Sequence, residues 1–190
     1  MRRCLLSGIL ALCLSNAGAA DAAGRMSLSS PQFKNKGTIP IEQVYSSFGC
    51  TGKNISPALE WKGAPKGTQS FALTVYDPDA PTGAGWWHWV MFNIPADVTS
   101  LPRNAGDPSA RLAPQGAVQS MTDFGSGGYG GPCPPPGDKP HHYYFTIYAL
   151  DVPKIDADKT AMPDFIGYNI HFHTLAKARL LGRFGREKDK

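Results

Sequence analysis

Glycine and proline interrupt this chain so often that no long helix or strand can run through most of it. Its 190 residues include 21 glycines and 17 prolines, which separate short apolar segments instead of forming one low-complexity linker. Proline cannot donate a backbone hydrogen bond, and glycine is frequent where a turn needs a left-handed backbone. Many short strands joined by Gly/Pro turns indicate a mainly β fold, a sandwich or a barrel, and not a parallel α/β sheet. The predicted strands are residues 27–33, 42–45, 58–61, 70–77, 89–94 and 143–151.

Helix is scarce, and the best candidate is the segment 158–173. Either Asp158 or Thr160 is available as the N-cap of this helix. Pro163 then falls in the first turn of the helix. Backbone N–H groups there have no partner within the helix, so the missing N–H of proline costs no hydrogen bond.

After this segment the pattern changes. From 176 to 184 small or apolar residues largely alternate with charged ones, which is closer to the two-residue period of a strand than to a helical stripe. We therefore predict a final strand over 176–184, and a helix continuing through Leu181 is the competing interpretation.

The N-terminus has the order of residues that is typical of a secretory signal peptide. Two arginines come first, an apolar run follows at 5–14, and small residues come next. The apolar run is too short to span a bilayer. We expect residues 1–22 to be a signal peptide with an approximate cleavage point, and residues 23–190 to form a single periplasmic or secreted domain. A retained N-terminal anchor is the alternative.

Charge gives little sign of a polyanionic partner. The formal net charge of +4 includes two arginines of the signal segment, so the mature chain is only mildly basic. No stripe of Lys and Arg interleaved with aromatic residues occurs, which argues against a nucleic-acid partner. No later segment is long and apolar enough for a membrane span. The basic C-terminal residues are interpreted as a solvated tail: Arg183, Arg186, Lys188 and Lys190.

Four cysteines become two when the signal segment is removed, namely Cys50 and Cys133. In an oxidising compartment such a pair is most simply a disulfide. The alternative is a reactive thiol, which would need an activating neighbour and a reducing environment.

Three segments carry polar residues in patterns that suggest a site. The first is Asp-Pro-Asp-Ala-Pro at 77–81, directly after a predicted strand. Its two prolines make a rigid turn that would hold Asp77 or Asp79 in a fixed orientation. A capped turn with solvated carboxylates is the simpler interpretation of this segment on its own.

The second segment is Trp-Trp-His-Trp, which begins at Trp86. On a regular strand His88 shares a face with Trp86 and Val90. The other two tryptophans, Trp87 and Trp89, then face the opposite side. A lone histidine among aromatic residues is usually a satisfied core or edge residue, but the rigid acidic turn just before it favours a pocket.

The third segment is the glycine- and proline-rich run 127–137, followed by His-His-Tyr at 141–143. Glycine lets backbone amides approach a ligand, and oriented amides can hold an anion. The proline run would stiffen this backbone, and Cys133 would attach it to Cys50. A plain surface loop is the alternative.

Together these three segments resemble the phosphatidylethanolamine-binding protein (PEBP) family, and most closely its bacterial Raf-kinase-inhibitor-like (YbhB/YbcL) branch. The motifs Asp-Pro-Asp-Ala-Pro, Trp-His and Gly-Pro-Cys-Pro-Pro-x-Gly leading into His-x-Tyr stand in the family's order, over about residues 27–184. The resemblance implies a mainly β, antiparallel β-sandwich with a few short peripheral helices. It also implies a small, non-catalytic pocket for phosphate, phosphorylethanolamine or similar anions, with no cofactor.

The resemblance also implies which residues form the pocket. One position departs from the family pattern, because the usual His-Arg-Tyr is His141-His142-Tyr143 here. Strand alternation turns residue 142 away from its neighbours, so we expect the pocket to survive and a neighbouring ion pair to be lost. The pocket residues by motif position are Asp77, Pro81, Trp86, His88, Gly131, Pro134, His141 and Tyr143.

From these residues we expect an anion clamp. His88 and His141 would donate hydrogen bonds, more strongly when protonated, and loop amides would add partial positive charge. Asp77 would orient an imidazole or accept a hydrogen bond from a ligand ammonium.

Three other functions compete with this hypothesis. A hydrolase lacks a Gly-x-Ser-x-Gly nucleophile motif, and Cys133 is expected to be oxidised. A metal enzyme would use Asp77, His88 and His141 as a two-histidine, one-carboxylate site, but nearby glycine amides suit an anion better. A secreted inhibitor or effector acting through an unidentified protein partner stays open, as does a homodimer.

Overall fold

A computed structural model of the protein describes residues 25–188. Residues 1–24, on which the predicted signal peptide falls, and residues 189–190 lie outside the described residues. The strands are β1 Ser27–Ser29, β2 Gly37–Thr38, β3 Leu59–Lys62, β4 Ser70–Asp77, β5 Trp86–Pro95, β6 Ser100–Leu101, β7 Val118–Gln119, β8 His141–Leu150 and β9 Thr174–Phe184, and the helix α1 is Pro163–His173.

The strands form two sheets. The smaller sheet has the order β1-β3-β6, and the larger has the order β2-β9-β8-β4-β5-β7. Neighbouring strands are antiparallel except for the short pair β2 and β9, which is parallel. The mainly β fold with two packed sheets confirms the predicted sandwich.

The main core lies between the two sheets. Trp61 of the smaller sheet meets Phe71, Trp89 and Phe145 of the larger sheet there. Each of these large side chains is fully buried, and burial of such a side chain stabilises the fold by about 1.5–3 kcal/mol. Removal of this apolar surface from water is therefore what holds the two sheets together.

Helix α1 covers part of the outer face of the larger sheet. Ile166 and Ile170 of the helix pack there with Ala72, Val90 and Phe92. Strand β4, in the middle of the sheet, is consequently buried on both faces. Its sequence is a nearly continuous apolar run because neither face meets water.

The predicted strand at 42–45 is wrong. Pro40 precedes a 3₁₀ turn at Ile41–Gln43. The N–H of Gln43 donates to the carbonyl of Pro40 at 3.0 Å, and the N–H of Val44 donates to the carbonyl of Ile41 at 3.1 Å. The amides that a strand would offer to a neighbour are therefore bonded within the turn.

The helix begins later than the sequence predicts. Asp158 accepts hydrogen bonds from the N–H and the hydroxyl of Thr160, at 2.7 and 2.6 Å, so these two residues form a local turn and not an N-cap. Pro163 lies in the first turn as predicted, and Met162 precedes it without a side-chain cap. No helix within residues 25–188 has the length and apolar character needed to cross a bilayer.

The final strand is confirmed. Strand β9 starts directly after the helix and pairs with β8 from Thr174 opposite Leu150 to Phe184 opposite His141. The chain therefore does not continue as a helix through Leu181.

Strand β5 is irregular at His88. Its pairing with β4 passes from Trp89 to Trp87 and skips His88, which is the signature of a β-bulge. The expected faces are wrong for this reason. Val90 shares the outer face with Trp87, whereas Trp89 lies in the inner core.

A second irregularity of β5 contains Asn93, whose φ of 57° is in the left-handed region. The buried Asn93 side chain donates to the carbonyl of Ile155 at 3.1 Å and accepts from the N–H of Ile155 at 2.7 Å. These two bonds attach the loop before α1 to the central sheet.

We predict that Asn93→Ala lowers the free energy of unfolding by about 3 kcal/mol, because two buried hydrogen bonds are lost and alanine disfavours positive φ. Asn93→Gly, which tolerates the backbone angle, should lose less. Urea denaturation of both variants measures the difference. Unfolding curves that coincide with those of the wild type would contradict the assignment.

Candidate functional site

A cavity of about 220 Å³ opens where the end of β4 meets the beginnings of β5 and β8. The acidic turn and the Trp-His segment that closely follows it meet there the proline-rich loop and its histidine strand, which come much later in the sequence. Seven of the eight sequence-predicted pocket residues line this cavity, and Gly131 does not. The lining residues are Phe48, Asp77, Ala80, Pro81, Thr82, Trp86, His88, Phe124, Cys133, Pro134, Pro135, His141 and Tyr143.

A buried carboxylate–imidazole pair forms the polar centre. Oδ2 of Asp77 lies 2.8 Å from Nδ1 of His141, and both side chains are at least 95% buried. The other carboxylate oxygen of Asp77 accepts from the N–H of Asp79 at 2.8 Å. Asp77 therefore joins the turn after β4 to the first residue of β8 and sets the imidazole tautomer that carries a proton on Nδ1.

His88 is held differently. Its Nδ1 lies 2.7 Å from the carbonyl oxygen of Gly130, and a carbonyl can only accept, so Nδ1 carries the proton. Burial lowers the pKa of His88 to about 4, although the Gly130 carbonyl favours the protonated form. Burial therefore favours the neutral imidazole, whose Nε2 accepts hydrogen bonds, and donation from His88 to an anion stays a prediction.

Tyr143 supplies a donor beside these histidines. Burial raises the pKa of its hydroxyl, and the carboxylate of Asp77 raises it further. The hydroxyl therefore keeps its proton. The Tyr143 ring lies edge-on to His88, with ring centroids 5.1 Å apart.

Gly131 is needed for packing. Its N–H donates to Oδ1 of Asn54 at 2.7 Å, and the N–H of Gly130 donates to the carbonyl of His88 at 2.8 Å. A Cβ atom on Gly131 would lie 2.1 Å from the carbonyl oxygen of Gln43. These two amides are used inside the protein, so the expected contribution of their N–H groups to an anion cradle is wrong.

An aromatic rim surrounds the mouth of the cavity, and sequence reasoning found only Trp86 of its members. The Phe124 ring lies 5.5 Å from the Trp86 ring and 5.3 Å from the His88 ring. Phe48 stacks on Phe124 at 6.1 Å and is 65% exposed. The sequence held a signal for Phe48, because an aromatic residue two positions before a disulfide cysteine is held at a fixed place.

The predicted disulfide is confirmed. Cys50 and Cys133 are bonded, with Cα atoms 6.0 Å apart, and the bridge joins the Phe48 loop to the proline-rich wall. Arg186 fastens the same two loops, since it donates to the carbonyls of Pro134 at 3.3 Å and Gly49 at 3.1 Å. The interpretation of Arg186 as part of a solvated tail is therefore wrong.

The replacement at residue 142 does not leave Asp79 without a partner. Both the ring Nδ1 and the backbone N of His142 lie 2.7 Å from Oδ2 of Asp79. Burial alone would raise the pKa of Asp79, but these contacts outweigh it and hold the pKa below its ordinary value. The neighbouring ion pair that was expected to be lost is thus replaced by a His142–Asp79 contact.

The charge around the cavity is not strongly positive. None of its lining residues is Lys or Arg. Asp138 adds a carboxylate nearby, with Oδ2 at 3.4 Å from Nε2 of His141. Within the part of the chain that the structure describes, no group of three or more His, Cys, Asp or Glu is placed to hold a metal ion.

The fold and the cavity define a class, that of β-sandwich proteins with a small polar pocket at one end of the sheet. Residues 29–185 match the family model described as phosphatidylethanolamine-binding protein. The chain belongs to the phosphatidylethanolamine-binding protein family.

Its similarity to bacterial members is extensive. YbcL of Escherichia coli K12 is 46% identical over 95% of this chain and 96% of its own length. YbhB of the same organism is 46% identical over 84% of this chain and 99% of its own length. The crystal structure of E. coli YbcL, titled a new member of the mammalian PEBP family, covers 86% of this chain and 100% of its own with a TM-score of 0.85. A Chlamydia trachomatis PEBP homologue is 32% identical, covers 86% and 99%, and has a TM-score of 0.71.

We predict that removal of the disulfide by the double change Cys50→Ser and Cys133→Ser lowers the free energy of unfolding by about 4 kcal/mol. The bridge closes a long loop, with a sequence separation of 83, and so restricts the unfolded chain. Denaturant titration with and without a phosphine reductant measures the loss. The reductant should destabilise the wild type and leave the double variant unchanged; equal responses would contradict the prediction.

We predict that His88 makes the protein less stable in acid. The unfolded chain takes up a proton on this residue below its ordinary pKa of 6.5, while the folded protein does so only near 4. Stability is therefore lost as the pH falls between these values, by about 2 kcal/mol from pH 7 to pH 5. The urea midpoint of His88→Gln should change less between pH 7 and pH 5 than that of the wild type, because this loss of stability is then absent. The control His171→Gln, at an exposed site, should show the pH dependence of the wild type. An unchanged pH slope in His88→Gln would refute the role of His88.

Proposed function

We propose that the protein binds a small phosphorylated headgroup in the cavity, without catalysis, after export from the cytoplasm. The observation that carries this proposal is the buried Asp77–His141 pair beside Tyr143 and His88. A carboxylate that fixes one ring nitrogen of histidine leaves the other nitrogen at a defined place for a ligand.

The side chains of the site offer both hydrogen-bond donors and a hydrogen-bond acceptor to a ligand. Nε2 of His141 faces the Asp138 carboxylate at 3.4 Å and is thus placed to donate to an acidic oxygen, and the Tyr143 hydroxyl offers a second donor. His88 Nε2 offers an acceptor. This set suits a ligand with negatively charged oxygens and one proton of its own, such as a monoprotonated phosphate or a phosphate ester with an ammonium group. A ligand oxygen would replace Asp138 as the partner of His141 Nε2.

The size of the cavity favours a headgroup over a whole lipid. A volume of about 220 Å³ lies below the roughly 300–1,000 Å³ of pockets for drug-sized ligands. The aromatic and proline side chains at its mouth can contact the short alkyl part of an ester. The remainder of a larger ligand would stay outside.

The lining residues favour binding over catalysis. A hydrolytic site needs an activated nucleophile. Both cysteines near the cavity are in the disulfide, and the Tyr143 hydroxyl stays protonated. The Thr82 hydroxyl donates to the carbonyl of Gly85 at 2.5 Å. The cysteine, tyrosine and threonine side chains around the cavity are thus already bonded or protonated.

Export is supported by two independent features. Residues 1–22 have the basic, apolar and small-residue order of a signal peptide. The Cys50–Cys133 disulfide persists in oxidising compartments and is rare in the cytosol. A periplasmic or secreted location accounts for both.

A secreted inhibitor or effector is the second candidate function. It is supported by Phe48, whose exposed ring stands at the mouth of the cavity in a loop held by the disulfide. Such a rigid exposed aromatic residue is typical of a protein contact. A protein partner captured from extracellular fractions by the wild type and not by Phe48→Ala would support this candidate.

We predict that Asp77→Asn weakens phosphorylethanolamine binding at least about tenfold, because the charged partner of His141 is lost. The measurement is a titration at pH 5 to 8 that follows histidine ring resonances and ³¹P signals. His88 and His141 should shift in the wild type. Asp151→Asn, which breaks a distant exposed Asp–His pair, is the matched control.

Two outcomes would count against the proposed function. Histidine resonances that stay unchanged on addition of phosphorylethanolamine and of inorganic phosphate would exclude a headgroup site. Release of free phosphate in the ³¹P spectrum, abolished by His141→Gln, would replace a binding role with hydrolysis.

A further inference from the structure

The imidazole of His141 has an acidic partner at each of its two ring nitrogens. Oδ2 of Asp77 lies 2.8 Å from Nδ1, and Oδ2 of Asp138 lies 3.4 Å from Nε2. In the proposed function it is Nε2 that binds an acidic oxygen of the ligand. Asp138 and the ligand would therefore need the same hydrogen-bonding position.

The two carboxylates are not held equally. A charge-assisted hydrogen bond between nitrogen and oxygen is about 2.7–2.9 Å long, which the Asp77 contact satisfies and the longer Asp138 contact does not. The side chain of Asp77 is 4% exposed, whereas that of Asp138 is 44% exposed. Water competes for an exposed carboxylate and weakens its ion pair. Asp138 is consequently the partner of His141 that a ligand can displace.

The backbone around Asp138 is fixed, so the carboxylate can leave His141 by a rotation of its side chain alone. The N–H of Asp138 donates to the carbonyl of Pro135 at 3.3 Å. The N–H of Gly137, the residue before it, donates to the carbonyl of Arg186 at 3.1 Å. Side chains of exposed residues change rotamer within about nanoseconds. Displacement of the carboxylate therefore requires no movement of the loop.

A second cavity gives the displaced carboxylate a place to go. It has a volume of about 470 Å³, and its lining includes Lys36, Arg183 and Arg186 as well as Asp138. We call this cavity the basic groove. Arg186 already donates to two carbonyls, but Lys36 and Arg183 are exposed cations. Opposite charges attract, so the groove favours a carboxylate that turns toward it. The lining of the ligand cavity, by contrast, contains no Lys or Arg.

We infer that Asp138 is an internal competitor of the ligand, which bonds Nε2 of His141 and turns into the basic groove when a ligand oxygen takes its place. The inference rests on the proposed function and adds a residue that sets the affinity of that site. When an internal partner must leave first, the observed affinity is reduced by the fraction of molecules in which it has left.

Substitution of Asp138 tests the competition. Asp138→Ala removes the competitor, so calorimetric titration at one fixed pH should show binding about tenfold tighter for phosphorylethanolamine and for inorganic phosphate alike, if Asp138 is turned away in about one molecule in ten. Asp138→Asn, which keeps the size and loses the charge, should give a smaller gain. The matched control is Glu187→Gln, which removes the same charge from the basic groove at a residue outside the ligand cavity and should leave both affinities unchanged.

A double-mutant cycle tests the role of the basic groove. Arg183→Gln should weaken binding about threefold in the wild-type background, because the displaced carboxylate then loses a cationic partner. The same change should have no effect in the Asp138→Ala background, where no carboxylate is displaced. A general attraction of the ligand by the charge of Arg183 would weaken binding in both backgrounds, and that result would overturn the inference.

The titrations also separate failure of the inference from failure of the proposed function. If the wild type binds and Asp138→Ala binds no more tightly, the inference is wrong and the proposed function stands. If Asp138→Ala weakens the binding of phosphorylethanolamine alone, Asp138 holds the ligand ammonium and the inference is again wrong. If neither ligand binds to the wild type or to any variant, the proposed function is wrong as well. Near-ultraviolet circular dichroism shows that each variant is folded, and a damaged fold would lower the affinity, not raise it.

Discussion

The hydrogen bond between Asp77 and His141 is the interaction on which the site depends. Asp77 is the last residue of a strand that is buried on both faces, so its carboxylate enters a region with little water. An unpaired charge there would be costly. The His141 ring and the Asp79 amide both satisfy that carboxylate, and each contact also holds a pocket wall in place. The need to satisfy a buried carboxylate thus positions β8 and the acidic turn together.

His88 shows how a backbone irregularity decides chemistry. The bulge places its ring beneath the pocket, where burial favours the neutral form and the Gly130 carbonyl fixes the proton on Nδ1. His141 bonds a carboxylate through the same ring nitrogen. Two histidines that look alike in sequence therefore have different hydrogen-bond partners, a neutral carbonyl for one and a carboxylate for the other.

The sequence predicted the parts of the fold and the site that depend on local pattern. The strand at 70–77 and the residues Asp77, His88 and His141 follow from apolar runs, rigid turns and motif order. What it could not predict depends on partners distant in the chain. Gly131 looked like an anion-binding amide, but its amide donates to Asn54, 77 positions away in the sequence. Phe48 and Phe124 join the rim because a disulfide and ring contacts bring two loops together.

The same bulge connects the pocket to helix α1. Because the bulge leaves His88 out of the strand pairing, Trp87 points to the outer face of the sheet. Its indole N–H donates there to Asp164, in the first turn of α1, at 3.1 Å. The N–H of Trp87 also donates to Asp123, next to the rim residue Phe124. Trp87 therefore links α1 to the strand that carries the pocket residues Trp86 and His88. One backbone irregularity thus orients both the outer contact with the helix and the histidine that lines the cavity.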